Sequence, residues 1–463
     1  MTFLKSTACA AAILLAAPAV SQAQSAEAAL DILSRAIAFR TVNGSDIAPN
    51  ETPAFANFLK ERLVSAGFPA SAIEIEPIED TVAFTATWQG SDPSLKPIVI
   101  LAHMDVVEAD PADWVLDPFT PVIEDGYIFG RGSLDNKADL SIVIATIIKL
   151  KQQGWQPKRT LILAFSGDEE TGMKTTRHLA QKLRNAELIL NADGGGGELD
   201  ANDQPIIYGL QAAEKTYADY TFTVTDPGGH SSRPTSGNPI YRVSAALQRL
   251  NNTPFPVALS EVTRGSLKAS AVRAAPETAR AITALLADEN DSSAAATLSA
   301  DPNYVGTLRT TCTATMVKGG HAPNALPQQA QATINCRILP GVSMEAIRDQ
   351  LQQIVADPTI TVAYQDTGTV AAPASPLRDD LVAAVTAAVH SRYPDLVITP
   401  VMSAGATDSM HFRALGIPAY GVGSVFLRSD DEFAHGLNER LPIATIAPGI
   451  THWETLLTTM AAQ

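Results

Sequence analysis

The chain has 463 residues, 46% hydrophobic and 18% charged, a composition that excludes a disordered chain and a length that calls for two folding units. Acidic residues outnumber basic ones by 49 to 33. That balance excludes nucleic acid and anionic membranes as expected partners, and solubility alone is sufficient reason for it.

Residues 1–23 read as an export signal. Lys5 supplies a positive start, Ala8 to Val20 form a short apolar run, and Ser21-Gln22-Ala23 offers a small-x-small cleavage pattern. The run is too short to span a bilayer, and Cys9 stands at its start, whereas a lipoprotein cysteine would follow it. The expectation is export to the periplasm or beyond the cell, without stable membrane association. Loss of Lys5 would take the formal charge from −16 to about −17.

Residues 24–212 alternate strand and helix. Pro97 to Ala102, Thr160 to Phe165 and Leu188 to Ala192 are continuous apolar runs, as strands buried on both faces require. Leu140 to Gln152 has a helical period and ends at Gly154. This repetition predicts an α/β catalytic domain, a mostly parallel sheet with helices on both faces.

The pattern changes near Ala213. Tyr217 to Thr225, Arg309 to Val317 and Ala330 to Leu339 alternate with period two, while Pro239 to Leu250 and Ser343 to Val355 read as helices. Residues 213–365 are therefore expected to form a smaller α+β unit with one sheet face open, residues 256–308 being an elaboration of it. After residue 366 the buried pattern returns, with helices at Pro376 to Arg392 and Ile446 to Ala461 and an apolar run at Ile417 to Val422. Residues 366–463 thus complete the first domain, and the smaller unit is inserted into it.

Cys312 and Cys336 are the cysteines beyond the export segment. With no CxxC they make a poor metal site. Folding their two strands about Asn324 sets them opposite each other, as a disulfide in an oxidising compartment or as two buried thiols.

In open α/β sheets, ligands bind beyond the carboxyl ends of the strands. Each buried strand here runs into candidate metal ligands at that end: His103 and Asp105, then Asp168-Glu169-Glu170, then Asp193. A loop delivers Asp135 just before a helix. Carboxylates that converge in a dry cleft repel and need a cation, and an N,O donor set without cysteine suits zinc, manganese or cobalt. An exported, acidic, two-lobed chain could also be a solute-binding protein, but that role needs no such cluster. Taken singly, each residue also has a plain structural reading: Glu169-Glu170 as an exposed acidic turn, His230 as a turn residue after Gly228-Gly229, Arg337 as the partner of a nearby acid. His178, His321, His390, His411 and His452 match no motif and read as structural.

The motifs in order are H-M-D-V-V at 103, W-x4-F at 114, D-G-Y-I-F-G-R-G-S-L-D-N-K at 125 and G-D-E-E-T-G at 167. They continue with N-A-D at 191, G-G-H-S-S-R-P at 228, N-A-L-P at 324, N-C-R-I-L-P-G at 335, G-A-T-D-S at 405 and H-G-x-N-E-R at 435. This series resembles the co-catalytic zinc metallopeptidases that include aminoacylase, glutamate carboxypeptidase and succinyl-diaminopimelate desuccinylase. Within them it looks most like the branch of vacuolar carboxypeptidase S and the secreted N-acyl amino acid hydrolases.

The resemblance implies a hydrolase acting on amide bonds of small peptides, or alternatively of N-acyl amino acids. It implies two divalent metal ions, zinc before cobalt or manganese. His103 and Asp193 would hold one ion and Glu170 and His435 the other, with Asp135 bridging. Glu169 would be the general base, and Asp105 would orient the His103 ring through its carboxylate. His230 would steady the oxyanion, and Asn324, Arg337 and Gly405-Ala406-Thr407 would bind the substrate's carboxylate. The inserted unit would act as a lid and offer a homodimer contact.

Overall fold

The computed structural model describes residues 21–462. The export reading falls largely outside them. Of its residues only Ser21, Gln22 and Ala23 are described, Ser21 capping the helix Gln22–Ala38 by accepting from the Gln24 amide.

The continuous apolar runs form the centre of a ten-stranded sheet. Leu161–Ser166, Ile98–His103, Leu188–Asn191 and Ala419–Gly421 lie side by side and parallel. Alternate side chains of a strand face opposite ways. Ile98, Ile100 and Ala102 join an apolar core with the helices Gln22–Ala38, Lys137–Gln152, Asp379–His390 and Ile446–Met460. Val99 and Leu101 join a second core with Lys174–Lys182 and Ser409–Ala414. Cover on both faces is why these strands are apolar at every position. Antiparallel pairs flank this centre: Ile73–Ile78 with Thr81–Trp88 on one side, Gly196–Leu199 with Pro205–Glu214 on the other. The expected α/β class holds, with the parallel strands concentrated at the centre.

Past Lys215 the chain leaves this sheet and builds a four-stranded antiparallel one, in the order Thr311–Gly319, Gln329–Ile338, Thr216–Thr225, Thr361–Gln365. Ala330, Ala332, Ile334, Cys336 and Ile338 face a core closed by the helices Pro239–Asn251 and Met344–Val355. Each helix starts where its side-chain cap dictates: Asn238 accepts from the Ile240 amide, and Ser343 from that of Ala346. Asn335 and Arg337 alternate onto the other face. Cys312 stands opposite Cys336 and the two are bonded, with Cα atoms 4.1 Å apart.

Residues 256–308 hold the helices Glu261–Ala271, Pro276–Ala287, Ser292–Ser299 and Pro302–Leu308 around their own apolar cluster. They do more than elaborate the inserted sheet. Glu261–Ala271 packs on the strand Ile398–Ser403 of the central sheet, so closely that a Cβ on Gly265 would lie 2.6 Å from the Pro400 ring. A further three-stranded sheet, Val122–Glu124, Tyr127–Phe129 and Arg440–Pro442, draws together segments more than 300 residues apart. Among the described residues no helix is long and apolar enough to cross a membrane.

Candidate metal centre

Three neighbouring parallel strands deliver the cluster. Ile98–His103 ends on His103, Leu161–Ser166 runs through Gly167 to Glu169 and Glu170, and Leu188–Asn191 runs to Asp193. The register sets His103 beside Ser166 and Leu101 beside Asn191, so all three open at the same edge. Asp135 enters from the loop before the helix Lys137–Gln152, and His435 from the loop before Arg440–Pro442.

Asp135 stands between the two imidazoles. Its Oδ1 lies 2.9 Å from His103 Nε2 and its Oδ2 lies 3.2 Å from His435 Nε2. His103 Nε2 is also 3.9 Å from Asp193 Oδ2, and His435 Nε2 is 2.9 Å from Glu170 Oε1. The five expected ligands therefore form one chain of contacts, Asp193–His103–Asp135–His435–Glu170. His103 is buried and His435 half exposed, so the cluster opens to solvent at the His435 end.

Asp105 contacts His103 differently from expectation. The strand stops at His103, and the ring Nδ1 lies 3.0 Å from the main-chain oxygen of Asp105 but 3.7 Å from its carboxylate. The carboxylate accepts instead from the amides of Glu169 and Glu170, at 3.1 and 3.0 Å. One residue thus fixes the His103 ring by its backbone and the acidic pair by its side chain. Fixing Nδ1 in this way aims Nε2 into the cluster.

Burial governs the charge states. It pushes Asp193 up to about 8, with Asp135, Asp408 and Glu170 adding repulsion against the attraction of His103. Burial also lifts Asp105 to about 7 and Glu169 well above the usual glutamate range. Hydrogen bonds to Asp135 and Glu170 raise His435 to about 10. Burial works against a charged His103, yet Asp135 and its acidic neighbours hold its pKa well above normal. Acids that retain protons beside imidazoles that gain them mark a site short of positive charge. Its donors are all nitrogen and oxygen, and His103, Asp135 and Glu170 each offer one atom within 4.8 Å of the others. That donor set fits divalent cations of the zinc, cobalt or manganese kind.

Asp168, Asn191 and Asp408 stand inside the motifs, but their supporting contacts are not legible in the sequence, and Asp168, a candidate ligand by position, is used in its own turn. Buried Asp408 accepts from Ser166 Oγ at 2.5 Å and from Thr176 Oγ1, bracing the strand that leads to Glu169. Asp168 accepts from the Lys174 and Thr175 amides at 2.7 and 2.9 Å, closing the turn that presents the acidic pair. Asn191 accepts from the Asp193 amide and donates to Thr407 Oγ1 and Ser409 Oγ. The partners of Asp408 and the side-chain amide contacts of Asn191 are more than 200 positions away, so no local pattern announces them.

On the inserted unit, Arg337 Nη1 donates to the Ala404 carbonyl at 3.1 Å, and its guanidinium lies 4.8 Å over the Tyr217 ring. Arg337 is thereby set against the loop of Gly405, Ala406 and Thr407. Thr407 is buried and bonded to Glu214, which pairs with Arg413. The acid-partner reading of Arg337 finds no support, since its contacts are a carbonyl and an aromatic face. His230 lies on the short ribbon Gly229–His230 and Ala325–Leu326, and Asn324 directly precedes its second strand, its carbonyl accepting from the Ser231 amide at 3.0 Å. His230 is exposed, and its Nδ1 lies 2.8 Å from Ser232 Oγ. Among the described residues its ring bonds Ser232 and not the cluster.

Of the histidines read as structural, His390 and His452 contact the main-chain oxygens of Leu396 and Val422, at 3.0 and 3.1 Å.

A family model described as Peptidase family M20/M25/M40 matches residues 99–459. The N-fatty-acyl-amino acid synthase/hydrolase of Homo sapiens is 30% identical over 431 residues, covering 89% of this chain and 84% of that protein. Probable carboxypeptidase S-like 2 of Dictyostelium discoideum is 28% identical over 430 residues, covering 89% and 81%. Among solved structures, an M20 family metallo-carboxypeptidase from Sulfolobus solfataricus has a TM-score of 0.69 at 20% identity, over 94% of this chain and 99% of that one. At that identity the likeness speaks for the fold.

Proposed function

The chain belongs to peptidase family M20/M25/M40 and is a hydrolase, and from that premise we propose that it cleaves amide bonds whose leaving amine is an amino acid with a free carboxylate. Small peptides and N-acyl amino acids share this chemistry, and relatives named for each type of activity resemble the chain. The observation that carries the reading is Asp135, whose two oxygens face two different imidazoles.

His103 and Asp193 would hold one divalent ion, Glu170 and His435 the other, and Asp135 both, with zinc the first choice for an N,O donor set. Bound there, the ions would lower the pKa of a water toward ~7 and draw charge from the scissile carbonyl. The protein supplies the rest. Glu169, buried and fixed through its amide by Asp105, takes a proton from the attacking water and gives it to the leaving nitrogen. Arg337, with Asn324 and Gly405 to Thr407, receives the substrate carboxylate, a task suited to a guanidinium fork. His230 steadies the developing oxyanion. Its exposure requires the inserted unit to close over the cluster or a second copy to supply it, which is the role proposed for a homodimer through that unit. Export is proposed on the charge and apolar pattern of residues 1–23 and agrees with the Cys312–Cys336 bond, which suits an oxidising compartment.

Elemental analysis should find two ions per chain. A panel of dipeptides and N-acyl amino acids assayed with zinc, cobalt or manganese should show turnover much faster for substrates with a free carboxylate than for their carboxyl-amidated analogues. One ion or none in metal-replete buffer, or no turnover of either class, overturns the proposal.

A further inference from the structure

Glu439 lies four residues after His435 and is fully buried. Its Oε1 accepts from the amides of Leu134 and Asp135 at 2.7 and 2.9 Å. Its Oε2 accepts from the Gly132 amide at 2.9 Å and from Arg131 Nη1 at 2.7 Å. Arg131 is almost as buried, and its Nη2 donates back to the carbonyls of Gly436 and His435 at 3.2 and 3.4 Å. One ion pair therefore bonds the main chain of both loops, at and just before Asp135 and at and just after His435.

The small sheet explains how the pair forms. Arg440 pairs with Phe129, and the Gly130 amide donating to the Glu439 carbonyl at 3.0 Å extends that ladder by one rung. Beyond it the two segments diverge into the loops that carry Asp135 and His435. The W-x4-F motif finds a use here: the Arg131 guanidinium lies 5.1 Å over the Trp114 ring, and the Arg131 amide donates to the Pro118 carbonyl at 2.7 Å. The His435 loop needs such support, because His435 and Asn438 hold φ values of 61° and 56°, a left-handed backbone unfavourable for non-glycine residues.

A buried ion pair seldom adds stability over apolar residues of the same volume, because desolvation offsets its attraction. Fixing geometry is the use that remains. We infer that Glu439 and Arg131 are positioning residues that hold the Asp135 and His435 loops in register, so that the two ion sites are set by one buried pair. Neither touches substrate. The inference rests on the reading of Asp135 and His435 as ligands.

The test is retention of Zn²⁺ by the purified holoenzyme dialysed against graded chelator, with the Co²⁺ absorption spectrum of the cobalt-loaded protein as a second readout. Glu439→Gln removes the charge at nearly constant shape and should weaken retention of both ions ~10–100-fold, the usual effect of losing a group that orients ligands. Arg131→Lys keeps a cation for Glu439 but loses the fork that reaches His435 and Gly436. It should release one ion early, keep the other and alter the cobalt spectrum. Glu454→Gln, which breaks the Lys149–Glu454 pair away from the cluster, should lower thermal stability without changing retention. Wild-type retention in Glu439→Gln or Arg131→Lys, or an equal loss in Glu454→Gln, overturns the inference. A wild-type holoenzyme without zinc would instead overturn the metal reading itself. If Glu439→Gln fails to fold, Arg131→Lys decides alone.

Discussion

Glu169 and Glu170 are adjacent, yet the fold gives them different surroundings. Glu170 reaches His435 at 2.9 Å, while Glu169 is buried among His103, Asp193 and Asp408, its carboxylate making no hydrogen bond among the described residues. A buried carboxylate free of a fixed partner is placed to shuttle a proton, whereas Glu170 is held by the His435 imidazole. Glu169→Gln should therefore keep its metal content and lose at least ~10²-fold in kcat, the scale of a positioned proton shuttle. His435→Ala should lose an ion first and activity with it, read by elemental analysis beside the assay. Equal metal loss in both variants would show that the two duties are exchanged. His103, Glu169, Glu170 and Asp193 were legible because each follows an apolar run that reads as a buried strand, whereas Asp135 and His435 lie on loops and were legible only through the ordered motifs. The contacts of Asp105 were not: which of its oxygens meets His103 depends on where the strand ends. Glu439 stood inside a recognised motif, but its partner Arg131 is 308 positions away, and nothing local marks such a pair.

Among elements, legibility followed periodicity. Strands buried on both faces read as unbroken apolar runs, and Gln329–Ile338 read as alternation because one face is open. The strands Tyr127–Phe129 and Arg440–Pro442 are three residues each, too short for any period, so the small sheet that sets the metal loops was invisible. Residues 256–308 read as an elaboration of the inserted unit, and their seat on Ile398–Ser403 was missed because it depends on Gly265 meeting Pro400. Register in the inserted sheet was legible through the cysteines. Their bond closes a sequence separation of 24 and ties an edge strand to the sheet. Replacing both with alanine should cost about 3 kcal/mol through the freed unfolded chain, measured as a lower denaturant midpoint. Amide exchange should quicken in Thr311–Gly319 and stay slow in Ile98–His103. A thiol titration of the unreduced, denatured protein that finds two free groups would contradict the bond.

At the scale of the whole molecule, the candidate metal cluster gathers at the edge of the central sheet, while Arg337 comes from the inserted sheet and Asn324 and His230 stand at the short ribbon of the same inserted unit. The joint between them is polar and built. Glu214 ends the strand Pro205–Glu214 and is bonded to Arg413 and Thr407, and the Lys215 amide donates to the Ser403 carbonyl at 3.0 Å. Arg337 already reaches across to Ala404, but His230 remains exposed. A substrate that bridges both sheets would favour whichever arrangement lets both touch it, whether by closure or through a second copy. The two residues should therefore fail in different ways. His230→Ala should lower kcat far more than it changes metal content, because an oxyanion donor acts in the transition state. Arg337→Ala should chiefly raise KM for substrates with a free carboxylate and barely affect carboxyl-amidated analogues assayed at high enzyme concentration. Mixing inactive His230→Ala and Glu169→Gln chains separates the two routes to His230. Recovered activity means that a second copy supplies it, and continued inactivity in a mixed dimer means closure within one chain. If Arg337→Ala slows amidated and free substrates equally, Arg337 holds the two sheets together through Ala404 and takes no part in recognising the carboxylate.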